Sequence, residues 1–175
     1  MSTGVFSSSA LDITVTDAIL VRALSVGTAD ADADGGAGGA LAVGAMLADA
    51  VIGGATRAHV NDAASVTAGN VQIEADATTT ATANTVAASG GLLAGTLNLA
   101  SADISRMVEA TIGAGAGITA TAGAIVIDAG STATANADTL GVVGGAVGIG
   151  ISLSEAEIDG HVEALTGLKG RGAHT

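Results

Sequence analysis

Asp30, Asp32 and Asp34 alternate along the run TADADAD and place carboxylates side by side on one face of an extended chain. Ca²⁺ takes several carboxylate oxygens, so this trio is the best metal candidate in the sequence. The matching residues of two later runs are Thr82, Asn84, Val86 and Asn136, Asp138, Leu140, so the cluster belongs to one run only. The glycine–aspartate nonapeptides of calcium-binding β-rolls are also missing. A solvated acidic face is the simpler reading, and weak Ca²⁺ binding is the one metal chemistry these residues permit.

Thr78, Thr80 and Thr82, with Thr132 and Thr134, form rows of hydroxyl and methyl groups that could meet ice or a glycan. In the first run that row becomes Asp, and ordinary strand propensity accounts for Thr on an exposed face. His59, His161 and His174 share no position and have no Cys or HxxxH partner. Ser and Asp are plentiful, but no nucleophile elbow is present. The glycine-rich stretch 141–150 lacks the GK[ST] of a phosphate loop. No catalytic, cofactor-binding or metal residue is assigned, and a non-enzymatic function is expected.

The elements that carry these residues come as a repeat. The run TTTATANTVAASGGLLAGTLNL starts at Thr78, and related runs start at Thr28 and Thr132. Each is an alternating small and polar stretch, a glycine pair, then an alternating apolar stretch. The pairs Gly38-Gly39, Gly90-Gly91 and Gly144-Gly145 recur after 52 and then 54 residues, the mark of a repeat architecture. Identities continue from Thr67/Thr121 and Gly69/Gly123 through Ile104/Ile158 and Glu109/Glu163 to Gly113/Gly167. The two-residue difference falls in the connection, where residues 61–69 are fewer than residues 113–123.

Within the second copy, residues 71–86 alternate with Ala and Ile inward and Thr and Asn outward, a strand signal. Residues 92–100 follow the glycine pair, with Leu93, Leu97 and Leu99 on one face; Val147, Ile149, Ile151 and Leu153 match them in the third copy. Next, Ala102, Ile104, Val108 and Ala110 point one way, and Asp103, Ser105, Met107 and Glu109 the other. A short strand near Ile118–Thr121 closes the unit. Alanine favours helix, but period-two alternation and paired glycines inside each unit decide for β structure.

The expected fold is all-β: a β-solenoid of about three stacked repeats of 52–54 residues, with stacked antiparallel β-hairpins turning at Gly-Gly as the alternative. Its units are about 11–63, 64–117 and 118–167, after a flexible lead-in 1–10 and before a tail 168–175. In a parallel stack, equivalent residues sit about 4.8 Å apart. Thr28/Thr80/Thr134 then form an outer ladder, Ala31/Ala83/Ala137 an inner one, and Arg57/Glu109/Glu163 a mixed-charge column. Stacking buries each unit's apolar face against the next, so one unit alone does not fold.

Composition agrees with a thin object. The 175 residues include no Pro, Cys, Trp or Tyr, and Phe6 is the only aromatic. An Ala/Gly/Val interior fills a narrow slab rather than a wide core. The net charge of −12 disfavours nucleic acid and anionic membranes. The uncharged stretch 139–154 is too short for a spanning helix of about 20 residues, so no membrane insertion is expected. No signal peptide is visible at residues 1–10.

The residues Ala68-Gly69-Asn70-Val71, Ala75–Thr80, Gly90-Gly91 and Val108–Gly113, with their third-copy counterparts, resemble the β-strand repeats of very large secreted bacterial surface proteins, the filamentous-adhesin and leukotoxin-like repeats. The likeness covers roughly residues 12–167. It implies a secreted stalk or fibre segment, extracellular or on the cell surface, without catalysis. Open strand edges at both ends make the chain itself the expected partner, joined head to tail. The other expectation is a binding module whose Thr/Asp/Asn ladders take Ca²⁺, ice or a glycan.

Overall fold

The computed structural model describes residues 11–167; the lead-in 1–10, the tail 168–175 and His174 lie outside them. The described chain is all-β. In order come β1 (Asp12–Thr14), β2 (Ala18–Gly38), β3 (Leu41–Val60), β4 (Ser65–Ala68), β5 (Asn70–Ile112), β6 (Gly117–Ala120) and β7 (Ile125–Thr166).

Every pairing among these strands is parallel. β5 takes β2 along its first half, β3 along its second, and β7 along nearly its whole length on the opposite edge. The short strands form a separate sheet in the order β1-β4-β6, and neither sheet closes into a barrel. The antiparallel hairpin alternative is therefore set aside. The chain does reverse at the glycine pair, but its hydrogen bonds go to the neighbouring unit and not across the reversal.

Alternation sets which side faces in. Val71, Ile73, Ala75, Ala77, Ala81 and Ala83 are buried, and so are Ala100, Ala102, Ile104, Val108 and Ala110 from the returning half. These two faces meet, with Ala81 and Ala83 in one cluster with Ala48, Ala50, Ala100, Ala102 and Ile104. Nearer the short sheet, Val66 and Ala68 pack with Val71, Ile73 and Val108. The Ala-rich interior lets the two layers approach closely: a Cβ on Gly35 of β2 would run into the Met46 side chain of β3.

The apolar run after the glycine pair departs from simple burial. Leu93, Leu97, Val147, Ile149, Ile151 and Leu153 lie on the outside, as do Leu41, Val43 and Leu47 of the first unit. Ala94, Thr96, Asn98 and Ala100 face inward instead. The reason is parity. Residues 92–112 form one continuous strand path, and Ala102, Ile104, Val108 and Ala110 fix its even-numbered side inward.

The short sheet also refines the repeat. Thr67 pairs with Thr119, not Thr121, while β5 pairs with β7 at the longer offset, Val71 with Ile125. The two extra residues of the third unit thus sit at 121–124, where the amides of Thr121 and Ala122 bond the carbonyls of Ala68 and Gly69.

Candidate functional site

The predicted ladders are in register. Thr28 pairs with Thr80 and Thr80 with Thr134; Ala31, Ala83 and Ala137 are likewise aligned. The threonines stand on the outer face of the first-half layer, the alanines on its inner face.

Asp30, Asp32 and Asp34 share that outer face, and their register partners are Thr82, Asn84 and Val86. Asn84 Nδ2 donates to Asp32 Oδ1 at 2.9 Å. Alternate residues of one strand stand about 7 Å apart, so a shared ion would need a carboxylate from the neighbouring strand, and none faces this trio. Among the described residues, no three His, Asp or Glu side chains gather to hold a metal ion. His59 Nδ1 lies 2.7 Å from Thr111 Oγ1, and His161 Nε2 lies 3.4 Å from Glu163 Oε2. The structure brings neither histidine to the other.

What the structure does bring together is charge, in columns along the stack. Arg57 pairs with Glu109, whose next neighbour is Glu163. A second column, not singled out by the sequence reading, carries Arg22, Glu74 and Asp128. Arg22 Nε lies 3.3 Å from Glu74 Oε2, and its Nη2 lies 3.5 Å from Asp76 Oδ2. Both columns begin with a guanidinium in the first unit and end with a carboxylate in the third. The repeat spacing that pointed to Arg57 applies equally at Arg22, so the second column was within reach of the sequence.

Arg106 was also missed. It points between the layers, where Nη2 donates to Ser25 Oγ at 2.6 Å and to Thr56 Oγ1 at 3.0 Å. Its register neighbours are Gly54 and Gly160, which leave room for one long side chain in the three-unit column.

The end formed by the third unit is open in the physical sense, whereas in the first unit Ile52, Ala58 and Val60 of β3 are buried. Ile104 and Val108 of the central unit are 1% and 0% exposed, whereas their partners Ile158 and Val162 are 53% and 45% exposed. Val71 and Ile125 differ in the same way. Among the described residues, β2, β3 and β7 each pair along one edge only, which leaves an unpaired strand edge at each end of the stack.

No protein-family model, curated protein or solved structure matches the chain.

Proposed function

We propose that the chain is a non-enzymatic structural repeat module, three turns of a β-solenoid, that extends head to tail into a filament outside the cell or at its surface. The observation that carries this reading is the polarity of the two charge columns. Set one copy on the next, and Glu163 faces Arg57 while Asp128 faces Arg22, so each junction repeats the pairing found inside the molecule. The same step covers Ile125, Ile158 and Val162. Fully burying such a side chain is worth about 1.5–3 kcal/mol, and these are half covered already, so each contributes roughly 1 kcal/mol. Long free parallel edges add backbone hydrogen bonds and recruit further strands.

Assignment to the secreted surface-protein repeats rests on the sequence resemblance alone. Electron microscopy and sedimentation velocity of the purified chain test the assembly. Filaments one molecule wide or more, growing with concentration, are expected; compact monomers at high concentration would overturn the reading.

A further inference from the structure

We propose that the outward apolar panel formed by residues 41–47, 93–99 and 147–153 is a lateral interface that joins two filaments of this chain face to face. The inference rests on the head-to-tail reading above. It concerns a different surface, since the panel lies on the broad side of the molecule and not at its ends.

The panel is bounded on both sides. Toward the chain reversal it stops at the column Gly39/Gly91/Gly145; away from it the outward residues become Asp49, Ser101 and Glu155. Within it the outward positions are aliphatic or glycine, with Val43 73% and Ile149 65% exposed. Its relief is uneven. Gly95 lies between Val43 and Ile149, and a hollow of about 230 Å³ opens there, bordered by Leu41, Leu93 and Val147. Leu97 stands two residues away on the same face.

Two sheets can meet face to face about a two-fold axis that lies either along the strands or along the stack. An axis along the strands sets Asp49 against Glu155 of the second copy and Asp103 against Asp103 of the second copy, an arrangement of like charges. An axis along the stack, midway between positions 95 and 97, reverses the strands. Leu97 of the second copy then enters the Gly95 hollow, and Val43 meets the smaller Ala45. The acidic border faces the glycine column, where no side chain and no charge stands. Charge and shape select the second arrangement. Such an axis also runs parallel to filament growth, so every added copy extends the same contact.

Area sets the order of events. Four outward positions on each of three strands cover roughly 20 Å by 14 Å, about 300 Å² per molecule. A single pair therefore buries about 600 Å² in all, half of what a stable interface needs. Two or three end-joined molecules on each side reach that size, so pairing follows stacking. The opposite broad face is mixed, with its Thr, Asp and Asn rows interrupted by exposed Val26, Leu140 and Val142, so it offers no comparable uncharged panel.

The test is mass per length by scanning transmission electron microscopy. A single filament holds 16.3 kDa per ~14 Å of axis, and the wild-type chain is expected at twice that density. The variant Leu47→Thr/Leu97→Thr/Ile151→Thr should still form filaments, at half the wild-type density. Gly95→Leu fills the hollow and should also halve it, while Gly95→Leu combined with Leu97→Gly exchanges knob and hollow and should restore it. Wild-type filaments of single density, or denser filaments with Gly95→Leu alone, overturn the lateral interface and leave head-to-tail growth standing. Absence of any filament overturns both. Flotation of the wild type, but not of the triple variant, with phosphatidylcholine vesicles would identify lipid as the occupant and overturn the second copy.

Discussion

Ile104 and Ile158 are register partners on neighbouring strands and occupy the same place in their units, yet one is sealed in the core and the other is half exposed. Position along the stack, not sequence, separates them. Lys at the two sites should therefore give opposite results. Ile158→Lys leaves the isolated molecule within about 0.5 kcal/mol of wild type, as exposed sites usually do, but puts an ammonium into the junction and keeps the protein monomeric. Ile104→Lys buries a charge without a partner and unfolds the chain. Thermal melts and sedimentation velocity separate these outcomes; end-to-end assembly of the Ile158→Lys protein would refute the junction.

The two glycines at each reversal are not equivalent. A Cβ on Gly91 would strike the carbonyl oxygen of Gly39 in the unit beside it, and one on Gly145 would strike that of Gly91. A Cβ on Gly90 comes no nearer than 3.9 Å to any atom, and at Gly38 it meets open space. Gly91→Ala should cost roughly 3 kcal/mol, at the upper end of overpacking effects. Gly90→Ala should change stability by less than about 1 kcal/mol. Urea denaturation of the two variants checks the contrast, and equal midpoints would contradict it.

The Arg57–Glu109–Glu163 column makes a prediction whose sign differs between the free molecule and the assembly. Arg57 is more than half exposed, so its pair contributes about 0.2–1 kcal/mol. Glu163→Arg places Glu109 between two guanidinium groups and should stabilise the monomer by a similar amount. At a junction the same change sets Arg against Arg57 of the next copy and should weaken end-to-end joining. Both effects should fade in 1 M salt, where the screening length falls to about 3 Å. A variant that gains monomer stability and assembles as well as wild type would remove this column from the junction.

Much of this arrangement is legible in the sequence, because a parallel stack converts repeat spacing directly into contact. Thr28, Thr80 and Thr134, or Arg57 and Glu109, could be paired by counting residues, and the strands place them together. The facing of the second apolar run was harder to read. Leu93, Leu97 and Leu99 look like core by hydrophobicity, but they share parity with Asp103, Ser105 and Glu109 on one uninterrupted strand path. A strand cannot change faces without a bulge, so that parity was the available signal. The short-strand register was obscured by chance identities, since Thr67 matches both Thr119 and Thr121. Arg106 escaped notice because its place in the column is filled by glycine in the other two units.

The same parity forces polar side chains into the interior, and Asn98 bears the consequence most heavily. It is 0% exposed, and among the described residues neither Oδ1 nor Nδ2 has a hydrogen-bond partner. Its register neighbours Met46 and Ser152 do not satisfy it, and Gly141 lies across from its Nδ2. A buried amide without partners costs about 1–3 kcal/mol in proteins. Asn98→Val removes that cost, keeps a side chain of similar bulk and suits a strand, so the urea midpoint should rise by an equivalent of about 1–2 kcal/mol with an unchanged slope. Asn98→Asp should do the reverse, burying a charge that nothing nearby offsets. If Asn98→Val instead lowers the midpoint, the amide is held by bonds that this packing does not contain, and the inward placement of the even-numbered face would have to be revised.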